Sequence, residues 1–172
     1  MLDYVSTRGG APRLGFGDVL LKGLADDGGL YVPAEWPRLE AGWDRPRPYA
    51  DVAVDVMWPF VEGSIERTDF ERLVAESYAT FDHPDVCPVV EVDGLHLLEL
   101  FWGPTLAFKD VALQLVGRLF DHELTARGSR ATIVVATSGD TGSAAIEACV
   151  GRDTLDIVVL HPAGRVSDVQ RR

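Results

Sequence analysis

Apolar residues recur at helical spacing in several stretches of the chain. Phe16, Val19, Leu20 and Leu24 predict a short helix. Tyr49 to Val61 predicts a second, with Pro59 positioned to shorten it. Phe70, Leu73, Val74, Ser77 and Tyr78 mark one face of a third, opened by a Thr68–Glu71 capping box. Ala112, Leu113, Val116, Leu119 and Phe120 lie on one face of a long helix over Phe108 to Thr125, and small residues predict another over Ser143 to Val150.

Shorter apolar runs predict strands. Leu30 to Val32 is a short extended segment closed by Pro33. Val89 to Val92 and Leu95 to Phe101, separated by Asp93-Gly94, predict a β-hairpin with a two-residue turn. Thr132 to Val135 and Leu155 to Leu160 are continuous apolar runs, the pattern of parallel strands buried on both faces. Between them lies a polar, glycine-rich loop over Thr137 to Gly142. Helix, strand, helix, strand predicts a doubly wound α/β sheet. A smaller, mainly helical region precedes it, with a boundary near Pro84 to Pro88, giving domains over 1–88 and 89–172. Ser167 and Gln170 form a capping box that announces a helix, yet Arg172 comes within a turn of it. Together with two strands whose edges are open, this predicts the N-terminal part of a longer protein.

Composition narrows the function. The chain has 172 residues, of which 47% are hydrophobic and 25% charged, so it belongs with globular proteins. A net charge of −11 disfavours nucleic acid and anionic membrane surfaces as partners. Cys87 and Cys149 have neither disulfide-framework nor zinc spacing, and the four histidines have no metal-ligand spacing. With no signal-peptide pattern and no long apolar span, a reduced cytoplasmic setting is expected. Only Lys22 and Lys109 are lysines; 14 of the 16 basic residues are arginine. In a chain that uses arginine for its solvated cations, Lys109 points to a need for an amine, since a guanidinium cannot serve as a nucleophile. An apolar setting and the positive end of a helix would both favour its neutral form; a surface lysine at a helix end is the plainer reading.

Thr137-Ser138-Gly139-Asp140-Thr141-Gly142 stands between an apolar strand and a helix. Free backbone N–H groups, the helix dipole and hydroxyl donors there suit a carboxylate or phosphate. A plain strand-to-helix turn is the simpler alternative. The loop lacks a Gly-Lys-Ser/Thr sequence, which disfavours a nucleoside triphosphate. Arg165, Arg171 and Arg172 form a small basic group that would suit a phosphate or solvent equally.

The segments Leu98 to Asp110 (LELFWGPTLAFKD) and Ala136 to Ala145 (ATSGDTGSAA) resemble threonine synthases. So do Tyr4 to Gly9, Asp27 to Pro33 and His161 to Ser167; the resemblance is weakest from Glu35 to Pro88. It implies a pyridoxal-phosphate enzyme of fold type II, similar to the tryptophan synthase β subunit. The implied reaction converts O-phospho-L-homoserine and water to L-threonine and phosphate. Lys109 matches the lysine that holds pyridoxal 5'-phosphate as an aldimine and shuttles protons, and Phe108 the residue near the cofactor ring. Ser138, Gly139, Asp140, Thr141 and Gly142 match the loop that holds the substrate carboxylate. Arg165, Ser167 and Gln170 fall in a motif near the substrate phosphate. The resemblance leaves a homodimer open as the assembly.

Two features depart from that family. Its glycine-rich loop for the cofactor phosphate lies downstream of these motifs and nothing here matches it; its members are more than twice as long. The 172 residues alone are therefore expected to bind the cofactor weakly and turn over little. Two other readings stand beside the first. One is a phospho-lyase on the same scaffold, releasing 2-oxobutyrate; the other is a non-catalytic binding module that retains the cradle.

Overall fold

The computed structural model describes residues 2–39, 45–137 and 139–164. The chain divides into two compact units, 1–74 and 75–172.

In the first unit, β1 (Tyr4–Ser6) pairs antiparallel with β2 (Tyr31–Pro33), with Val5 opposite Val32. Between them runs α1 (Phe16–Lys22), which ends at Gly23 with φ +69°. That left-handed conformation suits glycine and stops the helix before Leu24. α2 (Tyr49–Val61) contains Pro59 but is not shortened by it. Proline forfeits its own N–H and crowds the preceding turn, yet the last turn still closes through Glu62 N–H to the Trp58 carbonyl at 3.0 Å. α3 (Arg67–Tyr78) starts one residue before Thr68, so Thr68 lies inside the helix. Glu71 instead pairs with Arg67 at 2.8 Å. The core gathers Tyr4, Val54, Val61, Ile65, Phe70, Leu73 and Val74, and Trp58 packs against Phe70 at 6.0 Å between rings.

The division falls within α3, whose last residues belong to the second unit. There Ser77 donates to the Gln114 carbonyl and the Tyr78 hydroxyl to the Val111 carbonyl, each at 3.3 Å. The hairpin forms as expected from β3 (Val89–Val92) and β4 (Leu95–Leu98). Asp93 and Gly94 both have positive φ, 51° and 77°, as a two-residue turn demands. The second strand stops at Leu98 rather than Phe101, and Val89, Val92, Leu95, Leu97 and Leu98 are exposed.

α4 (Asp110–Ala126), β5 (Ala131–Ala136), α5 (Asp140–Cys149) and β6 (Leu155–Leu160) complete the unit. β5 and β6 are parallel, Ile133 opposite Ile157 and Val135 opposite Val159. This is the strand–helix–strand unit that the apolar runs predicted. Burial on both faces is not what the structure shows: the two strands alternate, and Val134, Val158 and Leu160 are exposed. The face bearing Val159 is the one covered by α5, where a Cβ on Gly142 would come within 3.4 Å of the Val159 side chain. Gly117 of α4 lies so close to α5 that a Cβ would overlap the Ala148 carbonyl oxygen. Small residues at these points let both helices pack at backbone distance. No helix among the described residues is long and apolar enough to cross a membrane.

Candidate functional site

Lys109 immediately precedes α4. The chain reaches it through Gly103-Pro104-Thr105-Leu106-Ala107-Phe108. This loop is fixed by two turns, Leu106 N–H to the Gly103 carbonyl and Asp110 N–H to the Ala107 carbonyl, both 3.0 Å. The Lys109 amine lies over the Phe108 ring, 4.2 Å from its centroid. Its side chain is 26% exposed, so the amine is partly sheltered yet open to a ligand.

The second motif begins at the end of β5. Here α5 starts earlier than the apolar pattern predicted. Asp140, Thr141 and Gly142 are its first turn rather than a loop. The Gly139 N–H donates to the Thr137 hydroxyl at 3.3 Å, and the Gly142 N–H to the Gly139 carbonyl at 2.8 Å. A Cβ on Gly142 would stand 2.6 Å from the Thr137 methyl, so glycine allows the helix to start directly on the strand end. By helix geometry, the N–H groups of Asp140 and Thr141 have no partner within α5, and the dipole there favours an anion.

The two motifs meet. Lys109 Nζ lies 3.9 Å from Asp140 Oδ2, although 30 residues of mixed structure separate them in the chain. The structure thus brings together Lys109, Phe108, Gly139, Asp140, Thr141 and Gly142. Ser138 lies outside the described residues, as do Arg165, Ser167 and Gln170. The acidic neighbour of the amine is Asp140, not Asp110: the Asp110 carboxylate turns the other way and accepts from Thr105. In the sequence Asp110 is simply the residue after the lysine. Its partner Thr105 lies five residues earlier, before the helix begins, where helical periodicity carries no signal.

These residues form a primary amine beside an aromatic face and an anion-favouring helix start. The amine is accessible enough to form an imine with an aldehyde, and Phe108 is 58% exposed, so its ring can meet a planar group beside the amine. The residues present therefore fit pyridoxal phosphate at its aldehyde and ring. Among the described residues, no cluster of His, Cys, Asp and Glu could hold a metal ion.

The comparison with known proteins points the same way. Residues 3–78 match the family model described as the threonine synthase N terminus. The chain is 56% identical to threonine synthase from Pseudomonas aeruginosa, over 98% of its own length and 37% of that protein. It is 43% identical to threonine synthase from Schizosaccharomyces pombe, over 98% of its length and 35% of that protein. Among solved structures, a PLP-bound threonine synthase from Brucella melitensis superposes with a TM-score of 0.95 at 57% identity. The match covers 99% of this chain and 38% of that one. The chain thus spans little more than a third of the relatives it matches, and over that length it is similar to the N-terminal portion of threonine synthases.

Proposed function

We propose that this chain is the part of a threonine synthase that supplies the cofactor-holding lysine and the substrate carboxylate cradle. In that reading the whole protein converts O-phospho-L-homoserine and water to L-threonine and phosphate. Residues 1–88 form its N-terminal domain and residues 89–172 the first part of its cofactor-binding α/β domain. The observation that carries the reading is the approach of Lys109 Nζ to Asp140 Oδ2 at 3.9 Å, which joins the two motifs in one place.

Pyridoxal phosphate, held by Lys109 with Phe108 against its ring, supplies an electron sink that makes protons beside the substrate amine removable. The rest falls to the chain's own groups. The start of α5 binds the substrate carboxylate through the Asp140 and Thr141 N–H groups and the Thr141 hydroxyl, with Ser138 and Gly139 completing the cradle. That grip orients the substrate, deciding which of its bonds faces the Lys109 amine. Lys109, when neutral, accepts and returns protons at Nζ. Arg165, Ser167 and Gln170 are assigned to the substrate phosphate.

The test is to supply O-phospho-L-homoserine and pyridoxal phosphate to the full-length protein that carries this chain, and to measure threonine, 2-oxobutyrate and phosphate together. Threonine in step with phosphate supports the reading. 2-Oxobutyrate in its place would make the protein a phospho-lyase, and binding without phosphate release would make it a non-catalytic module. The 172 residues alone are expected to turn over little or nothing.

A further inference from the structure

One fully buried ionisable group in the second unit takes no part in the chemistry above. Asp110 is 0% exposed, and an aspartate is rarely so buried unless its charge is met. Its carboxylate accepts the Thr105 backbone N–H at 2.8 Å and the Thr105 hydroxyl at 2.8 and 2.9 Å to its two oxygens. Asp110 is also the first residue of α4, where the helix dipole favours a negative charge. Gly103 closes over it so tightly that a Cβ there would stand 2.5 Å from the Asp110 Cβ. The loop is thus folded back onto the start of its own helix.

That loop contains a strained residue. Leu106 has φ +61°, in the left-handed region that leucine avoids, and its side chain lies exposed. Its own packing does not repay the strain, and such a conformation persists only where neighbouring contacts impose it. The neighbouring contacts are the Thr105–Asp110 bonds on one side and the Gly103–Leu106 turn on the other. Three residues further on is Lys109.

We propose that Asp110 is the positioning residue of Lys109. Its carboxylate holds the 103–107 loop in the strained turn and so fixes where α4 begins and the direction in which the lysine leaves it, over the Phe108 ring and toward Asp140. The proposal rests on the reading of Lys109 as the cofactor-holding lysine. The carboxylate accepts on both oxygens and carries the charge that the helix start favours; asparagine would keep one acceptor oxygen and lose the charge.

The experiment uses the full-length protein with its lysines reductively methylated with 13C, the Lys109 signal being the one missing in K109R. The Phe108 ring should displace that signal upfield, and F108L should abolish the displacement. In D110N and T105V the displacement should fall by at least half. Capture of pyridoxal phosphate at Lys109, trapped by borohydride on unmethylated protein, should fall about tenfold in D110N and less in T105V. T105S, which keeps the hydroxyl and the N–H, should behave as wild type. If D110N does not fold, T105V alone decides, since it removes one hydroxyl and no charge. Folded D110N or T105V with unchanged signal and unchanged capture would overturn the proposal. Were wild type to capture no cofactor at Lys109 while the signal still depended on Asp110, the functional reading would fail and the positioning role would stand.

Discussion

The two units each contain a loop tied to a single aspartate, and the two ties use the same parts. In the first unit Asp27 accepts from the Ser6 hydroxyl at 2.7 and 2.9 Å, from the Gly29 N–H at 2.9 Å and from the Gly10 N–H at 2.8 Å. Gly29 lies so close that a Cβ would overlap the Ser6 hydroxyl oxygen. In the second unit Asp110 accepts from Thr105 under Gly103. Each knot is a carboxylate, a hydroxyl and a glycine without room for a side chain. They differ in burial and in the element each one holds in place. The Asp27 knot is partly open to solvent and leads into the β1–β2 pair. The Asp110 knot is buried and leads to an amine. The same local device therefore serves as a staple in one place and, in the proposed site, as the mount of its amine in the other.

The largest expected effect separates the mount from the amine it carries. K109A in the full-length protein should abolish covalent capture of pyridoxal phosphate and lower turnover by roughly 10³-fold or more, measured by absorbance and by phosphate release. Its urea unfolding should stay close to wild type, because Lys109 belongs to neither knot.

Filling the glycines breaks each knot in turn. G103A and G29A should each lose about 1–3 kcal/mol in urea unfolding, the usual cost of forcing an extra carbon into a packed site. Only G103A should also lose cofactor capture at Lys109. Equal loss of capture in G29A would show that the two knots are not independent.

Removing one hydroxyl is milder. T105V should cost about 1 kcal/mol, the net worth of an ordinary hydrogen bond, against an unchanged melting curve for T105S.

The smallest effect is in the pH dependence of the open knot. The Asp27 carboxyl is held below the ordinary aspartate value, chiefly by the Ser6 hydroxyl, then by the Gly29 N–H, with burial working against them. A carboxyl that is more acidic folded than unfolded adds stability above its unfolded pKa, about 3.9, and that contribution fades as pH falls through the lower folded value. Wild type should therefore exceed D27N in urea midpoint at pH 7, and the gap should narrow as pH falls below about 3.9. A gap that stayed constant into acid would remove the carboxylate from the account.

Much of this arrangement was legible in the residues. The α3 face from Phe70 to Tyr78 is buried as its spacing predicts, and Asp93-Gly94 makes the predicted turn. The parallel pairing of β5 and β6 agrees with two apolar runs flanking a helix. Three features were not legible, for physical reasons. The start of α5 at Asp140 depends on Gly142 meeting Thr137, a contact across a turn that periodicity does not encode. The exposure of Val134 and Val158 reflects which face a helix covers, which apolar content alone does not state. The knots join residues 21 and five apart through side-chain bonds, and a carboxylate in a polar stretch looks the same whether it is tied or solvated.

Lys109 is proposed as the amine that holds the cofactor, placed there by its loop. The most direct measurement is to incubate the full-length protein with pyridoxal phosphate, reduce with borohydride and map the modified peptide. The label is expected on Lys109. A label on Lys22 or elsewhere with Lys109 unmodified would contradict it.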